Sequence, residues 1–296
     1  MHDDWSVVFE SRAKAPCMDR ALVLTSLGIP HQVMQVAELC RLIVPEEFAE
    51  KAKFEIWQFE EENKNKGLPG PAVQPVYQDA VSGVVIYIVV VCFVGWLAGI
   101  GALGHDWLAA GRVDGVLIRQ GEWWRSFTAL TLHSGLKHMA GNLGFGSLFG
   151  LLAGRVVGPG VAWLAIVLAG GAANILNTIL LESSHRSIGA STAVFAALGL
   201  VSGFVWRGKL MAQDRWPYRI GPIVGGIALL AYTGTGSENT DIGAHLAGFI
   251  TGFSAGILLI RVADKLNNQR VQITCGFAAI GILTVSWMIA LTNMAT

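Results

Sequence analysis

The sequence has little charge. Only 14% of its 296 residues are Asp, Glu, Lys or Arg and 53% are hydrophobic, whereas a soluble domain carries about 25% charged residues. This composition excludes a disordered chain and a coiled coil. Basic and acidic residues number 21 each, so the chain also lacks the positive field of a nucleic-acid binder.

Cysteines are few, and the first residues lack the pattern of a targeting signal. The cysteines form no CxxC pair and no metal-ligand spacing; they are Cys17, Cys40, Cys92 and Cys275. We therefore expect neither a disulfide framework nor a metal site, and nothing in the sequence requires a cofactor. The first residues contain no basic stretch followed by an apolar run, so we expect no cleavable signal peptide and a cytosolic N-terminal segment.

Much of the charge that is present lies at one end of the chain. Residues 1–80 hold 8 basic and 13 acidic residues, a net charge of −5, whereas the other 216 residues hold 13 basic and 8 acidic residues, a net charge of +5. The distribution predicts a soluble segment followed by a region that excludes charge.

Residues 1–66 are predicted to form a small soluble α+β domain. Its elements follow the order βαββα, with strands and helices predicted at 5–9, 12–27, 31–36, 40–44 and 45–63. Pro45 is expected in the first turn of the last helix. The order resembles a ferredoxin-like module and holds no catalytic constellation, so a docking or regulatory role with a cytosolic partner is favoured. Residues 67–80, rich in Pro and Gly, are predicted to be a linker.

The rest of the chain is predicted to be an all-α membrane bundle. A span needs about 20 apolar residues, and seven stretches qualify, at 81–103, 136–153, 156–181, 187–206, 220–237, 242–260 and 271–296. We expect six core helices over residues 81–262 and one further C-terminal helix in residues 263–296. With the N-terminus inside, the inner loops carry eight basic residues and the outer loops five, which favours a cytoplasmic N-terminus and an external C-terminus.

Two polar residues lie near the outer ends of their spans and suggest chemistry. Ser191 follows two small residues in Gly189-Ala190-Ser191, and His245 lies in Gly-Ala-His-Leu-Ala-Gly, ending at Gly248. A lone membrane serine usually bonds to its own helix and a lone histidine is more often structural. At equal depth on packed helices, however, the imidazole can take the serine proton so that the serine attacks a carbonyl.

A third polar group starts the second span. His138 and Asn142 are four residues apart and share one helix face, with His133 five residues earlier. An Asn amide and a neutral His are suitable donors for an oxyanion. Polar contact between helices is the alternative. Metal binding by the two histidines is less favoured, because five-residue spacing on a helix would splay the rings.

Together these residues resemble the rhomboid family of intramembrane serine proteases over residues 81–262. In order, the matching pieces are Trp124-Arg125, the run His133…His138…Asn142, Gly189-Ala190-Ser191 and Ala244-His245-Leu246-Ala247-Gly248. Each piece is weak alone, but the ordered set on the expected spans is specific.

The resemblance implies a catalytic Ser191–His245 dyad. It implies an oxyanion hole from Asn142, His138 and the Ser191 backbone N–H, with His133, Trp124, Arg125, Gly189 and Gly248 in supporting roles. The implied reaction is cleavage of peptide bonds in or beside transmembrane segments of membrane proteins in the lipid bilayer. The extra helix resembles the "6+1" arrangement, and a bacterial inner membrane is the expected location.

The sequence departs from the family pattern at two positions. Thr192 stands where the motif usually has a second glycine, and its β-branched side chain could narrow the oxyanion hole. Phe195 stands where many members have a tyrosine packed on the catalytic histidine. Two further side chains receive structural predictions: Asp241 as the N-cap of the sixth span and Glu122 as the ion-pair partner of Arg125.

Two other functions compete with the protease. One is a rhomboid-like protein without activity that binds membrane proteins or controls their quality, for which Thr192 is the sequence argument. The other is a transporter or channel, which the absence of paired repeats and of buried carboxylates in the predicted spans disfavours.

Overall fold

The structure is a computed structural model that describes residues 5–36, 38–63, 77–180, 185–208 and 241–293, together with residues 221, 224, 225 and 228. It divides into two compact units, Met1–Ala72 and Val73–Thr296. The predicted boundaries of the linker and of the added C-terminal helix remain predictions.

The first unit has the predicted βαββα order. Its elements are β1 (Trp5–Ser11), α1 (Lys14–Ser26), β2 (Gln32–Val36), β3 (Leu39–Pro45) and α2 (Ala49–Asn63). The sheet is antiparallel with strand order β1-β3-β2. One detail was wrong: Pro45 ends β3 instead of lying in the first helical turn, because a 3₁₀ turn at Glu46–Phe48 precedes α2.

The core of this unit lies between the two helices and one sheet face. Alternate residues of β3 point into it, which leaves Leu42 and Val44 fully buried against Leu24 of α1 and Ile56 of α2. Arg20 spans the two helices, since its guanidinium bonds the Glu60 carboxylate at 2.7 Å. The alternation along β3 is what a half-buried strand requires.

The second unit is a helical bundle, which confirms the predicted fold class. Six described helices are long and apolar enough to cross a membrane; they are α3 (Val81–Gly99), α7 (Leu136–Val157), α8 (Pro159–Leu180), α9 (Ser191–Gly208), α10 (Ile242–Leu259) and α12 (Gln269–Asn293). A short helix, α11 (Ala263–Leu266), precedes α12. The predicted span at 220–237 lies almost wholly outside the described residues.

Between α3 and α7 the chain forms a loop of short elements. These are α4 (Trp107–Gly111), β4 (Val113–Asp114), α5 (Gly115–Arg119) and α6 (Arg125–Thr128). β4 pairs with β5 (Arg186–Ser187), which lies just before α9. The loop is therefore hydrogen-bonded to the segment that leads to Ser191.

The closest helix contact in this unit joins α9 and α10 along their length. A Cβ added to any of five glycines on the two helices would collide with a backbone oxygen of the other helix; they are Gly199, Gly203, Gly248, Gly252 and Gly256. Small residues let membrane helices approach to backbone contact. This contact fixes how far α9 can slide or turn relative to α10.

Gly252→Ala tests this contact. The added methyl would overlap the Ala196 carbonyl, so we expect the purified protein to lose about 1–3 kcal/mol of stability, seen as a lower unfolding temperature in detergent. Gly144→Ala on α7 is the matched control, because nothing lies within 4 Å of that position. Equal stability of the two variants would contradict the proposed role of backbone contact.

Candidate active site

Ser191 is the first residue of α9 and follows a glycine that needs its special conformation. Gly189 has φ +135°, which a residue with a side chain rarely adopts. Its N–H donates to the Ala129 carbonyl at 3.0 Å. A Cβ at Gly189 would meet the His138 ring, at 2.9 Å from Nε2, and would lie 3.5 Å from Ser191 Oγ. The His138 ring and the Ser191 hydroxyl therefore both lie close to the position that a Gly189 side chain would occupy.

His138 lies in the first turn of α7 with one ring nitrogen already engaged. Its Nδ1 lies 3.1 Å from Ser134 Oγ. When the Ser134 hydroxyl donates this bond, the ring proton resides on Nε2, the nitrogen that faces Gly189. Sequence analysis missed Ser134, although its four-residue spacing from His138 was visible.

His133 lies against His138 but not on the same helix. The rings meet edge to face with centroids 5.2 Å apart. The prediction that helical spacing would splay them was wrong, because His133 precedes α7 and the intervening turn brings the rings together. Both His133 ring nitrogens are buried without a hydrogen-bond partner among the described residues.

Asn142 lies one turn after His138 and is buried, with 7% exposure. Its backbone carbonyl accepts a hydrogen bond from the Tyr87 hydroxyl at 2.8 Å. Its side-chain Nδ2, in contrast, is fully buried and has no partner in the described part of the chain. Such an unsatisfied donor is costly and calls for an explanation, of which a catalytic role is one.

His245 lies in the first turn of α10 and is held by stacking. Its ring stacks on Phe195 with centroids 4.6 Å apart and an interplanar angle of 24°. Phe195 lies one turn after Ser191 on α9. The stack therefore holds His245 of α10 against the helix that carries Ser191. Near this stack Gly248 packs against the Thr192 carbonyl.

Within the described residues, no hydrogen bond joins Ser191 to His245, and His245 Nδ1 is buried without a partner. Bonds between catalytic residues are often long in ligand-free proteins and tighten on substrate binding. A cavity of about 10 Å³ lies beside the serine, lined by polar residues that include Ser191, Thr192, Asn174 and Asp241. This volume suffices for about one water molecule.

Trp124 and Arg125 lie in the loop between α3 and α7, and Arg125 orders this loop. The Arg125 guanidinium is buried and bonds the Glu122 carboxylate at 2.6 Å, which confirms the predicted pair. It also donates to the Ala109 and Arg112 carbonyls at 2.8 and 3.2 Å. A planar group with five donors suits such convergent bonding. The structure thus gives Arg125 a contact with α4 and none with Ser191 or His245.

Asp241 is the N-cap of α10, as predicted, with its carboxylate accepting from the Ala244 N–H at 2.9 Å. It also joins a cluster that the sequence did not reveal. The His185 Nε2 lies 2.7 Å from Asp241 Oδ2, and the Asn177 amide donates to the same oxygen at 3.0 Å. The cluster ties the start of α10 to α8 and to the segment before α9.

The C-terminal helix also reaches the neighbourhood of the site, which sequence analysis missed. Trp287 of α12 donates its indole N–H to Thr131 Oγ1 at 3.0 Å and packs against Trp107, with ring centroids 4.7 Å apart. Thr131 closes the short turn that begins at Ala129. The Ala129 carbonyl on this turn accepts the Gly189 N–H. Helix α12 therefore supports the turn that positions Gly189, two residues before Ser191.

These features define a multi-span membrane protein with a serine and a histidine on two tightly packed helices. A family model described as a rhomboid domain matches residues 120–262. The chain is therefore similar, over just under half of its length, to the rhomboid family, whose proteases are intramembrane serine proteases.

Several proteins are similar to this chain over about half of its length. Rhomboid protease GluP of Bacillus subtilis is 34% identical over 153 residues, which cover 51% of this chain and 29% of that protein. Rhomboid-like protease 2 of Toxoplasma gondii is 30% identical, covering 50% of this chain and 52% of that protein. RHOMBOID-like protein 6 of Arabidopsis thaliana is 30% identical, covering 51% and 48%. The chain thus spans about half, or less, of these relatives' length.

Asp114→Asn tests the ion pair of Asp114 with Arg186, which joins the loop between α3 and α7 to the segment before Ser191. Burial would raise the pKa of the Asp114 carboxyl, but the bond from Arg186 at 2.9 Å and the Leu117 and Val116 N–H groups outweigh it and lower this pKa. The folded state therefore prefers the ionised form, so the stabilisation is present above the unfolded-state pKa and is lost as the pH falls toward the folded-state pKa.

We expect the variant to unfold at a lower temperature than the parent at pH 7, with the difference shrinking below about pH 4. Unfolding temperatures in detergent between pH 7 and pH 3 measure this. If the difference in unfolding temperature between the parent and Asp114→Asn stayed constant across that range, the ionised carboxylate would not contribute to stability.

Proposed function

We propose that this protein is an intramembrane serine endopeptidase in which Ser191 is the nucleophile and His245 the general base. The observation that carries the proposal is the backbone-to-backbone packing of α9 and α10, with His245 stacked on Phe195 one turn from Ser191. This packing holds a hydroxyl and an imidazole on facing helices, where little else at their depth is reactive.

In the proposed first step, His245 takes the Ser191 proton while Oγ attacks the carbonyl carbon of the scissile peptide bond. The resulting tetrahedral intermediate carries a negative oxygen. The protonated histidine then donates its proton to the leaving amine, the C–N bond breaks, and an acyl-enzyme ester remains on Ser191.

We assign the stabilisation of that oxygen to Asn142, to His138 and to the Ser191 backbone N–H. The buried, unsatisfied Asn142 amide supports this assignment, because a substrate oxygen would satisfy it. The contact of His138 Nδ1 with Ser134 supports it as well, since it directs the Nε2 proton toward Gly189.

Hydrolysis of the ester requires water inside an apolar bundle. The small cavity beside Ser191, lined partly by Asn174 and Asp241, offers a polar position for one molecule. His245 would remove a proton from a water that moves from this cavity to the ester, the hydroxide would attack the ester, and the serine would regain its proton as the second product leaves.

The proposed substrates are membrane proteins cleaved in or beside a transmembrane segment. We further propose that the N-terminus is cytoplasmic and that the catalytic ends of α9 and α10 face outward, in a bacterial inner membrane. The excess of basic residues in the predicted inner loops supports this orientation. The acidic N-terminal unit is proposed to meet a cytosolic partner.

A rhomboid-like protein without protease activity is the second candidate. Two observations favour it: Thr192 replaces the usual glycine beside the nucleophile, and the described residues show no direct Ser191–His245 hydrogen bond. In this case the same bundle would bind membrane proteins without cutting them.

Ser191→Ala distinguishes the two candidates. We expect the parent to react with a fluorophosphonate probe and to cleave a single-span membrane substrate in vesicles, because both require an activated hydroxyl. The variant should lose labelling and cleavage while keeping its unfolding temperature. A folded parent that neither labels nor cleaves any of a panel of substrates would favour the inactive protein.

Asn142→Ala tests the oxyanion hole. Loss of one donor typically lowers kcat by about 10²–10³-fold, and we expect a fall of that order with KM changed little. Tyr87→Phe is the matched control, because it removes a bond to the Asn142 carbonyl and leaves the amide donor in place. If both variants lost activity equally, Asn142 would have a structural role and no role as a donor.

A further inference from the structure

A second cavity, larger than the one beside the serine, is not lined by Ser191. It has a volume of about 350 Å³ and lies between α3, α8 and α12. Apolar side chains form most of its wall, among them Ile86, Val90, Trp163, Val167, Phe277 and Ile280. We call it the α3–α8–α12 groove.

The groove is long and narrow. On α12 its lining runs from Gln269 to Leu283, which corresponds to about 20 Å along the helix axis. Glycines make it concave: a Cβ on Gly83 would strike the Trp163 ring, and one on Gly276 would lie 3.8 Å from Gly160. The far end reaches Thr131 and Ala193.

The apolar lining selects the occupant. Water is not a stable filling for an apolar space at membrane depth. A single hydrocarbon chain is narrow, apolar and always present beside spanning helices.

Most of the polar lining residues lie at one end of the groove. Asp79, Ser82, Gln269 and Gln272 line the end where all three helices begin. The Gln272 amide is already engaged, since it bonds the Val157 and Leu266 carbonyls at 3.0 and 2.8 Å.

Three exposed basic residues lie near this end, although none of them is among the lining residues. Arg155 is exposed and its carbonyl accepts the Tyr77 N–H at 3.1 Å, next to Asp79. Arg270, which follows Gln269, and Lys265, on the short helix before it, are exposed as well. Basic pockets between spanning helices attract anionic lipid headgroups.

We propose that the α3–α8–α12 groove binds one acyl chain of an anionic phospholipid, with the headgroup held at the end that carries Arg155 and Arg270. The orientation proposed above places this end in the cytoplasmic leaflet. The site does not depend on Ser191 or on proteolysis, so the test measures binding alone.

The full chain, purified in detergent, is mixed with dioleoylphosphatidylglycerol or dioleoylphosphatidylcholine, and bound lipid is measured by native mass spectrometry. We expect one phosphatidylglycerol to remain bound to the parent and to raise its unfolding temperature. Gly276→Leu fills the groove and should weaken this binding by at least about tenfold. Gly281→Leu, on the same helix with nothing within 4 Å, should bind like the parent.

A second pair of variants tests the groove independently, so that the test still holds if Gly276→Leu misfolds. Ile86→Trp fills the groove from α3, whereas the exposed Ile88 is not among the groove's lining residues, so Ile88→Trp should bind lipid normally. The double variant Arg155→Gln/Arg270→Gln should reduce phosphatidylglycerol binding to the level of phosphatidylcholine.

Three results would overturn the proposal. The first is undiminished phosphatidylglycerol binding by folded Gly276→Leu or Ile86→Trp. The second is equal binding of the two lipids to the parent. The third is a dimer mass that Gly276→Leu abolishes, which would identify the groove as a contact between two copies of this chain.

Discussion

Everything at the candidate site depends on how closely α9 and α10 approach. In a bilayer the lipid tails are as apolar as the helix surfaces, so association rests on close packing more than on the hydrophobic effect. Five glycines provide that packing, each against a carbonyl or backbone nitrogen of the other helix. The contact leaves little freedom of rotation or sliding, and it fixes Ser191 and His245 relative to each other.

The groups that support the candidate site act on the ends of helices and on the loops beside them. The Ala129 carbonyl holds Gly189, the carboxylate of Asp241 caps α10 and joins it to His185, and Arg125 gathers the carbonyls that end α4. Apart from the side-chain link to His185, each contact satisfies a backbone group that a helix end or loop would otherwise leave unpaired. The bundle thus positions its candidate catalytic side chains mainly through the termini of its helices.

The helices, the βαββα order and the N-cap at Asp241 could be predicted because their signals are local: apolar length, alternation and cap spacing. The ordered motifs also indicated Ser191, His245, His138 and Asn142 as candidates, whose roles remain proposals. The link from His185 to Asp241 could not be predicted, since it joins residues 56 apart that share no motif. The contact of Trp287 with Thr131 could not be predicted for the same reason, because only the packed bundle brings α12 to that turn. The splaying predicted for His133 and His138 failed because it assumed a helix that starts three residues too early.

The bond from Trp287 to Thr131 has a consequence for the order of synthesis. A ribosome makes this chain from its N-terminus, so α7, α9 and α10 leave it before α12. During that interval Thr131 lacks the hydrogen bond from the Trp287 indole. The Ala129 carbonyl, which accepts the Gly189 N–H, therefore lies on a turn that α12 does not yet contact. The site is thus fully braced only after the last described helix has entered the membrane, which ties its maturation to the completion of the bundle.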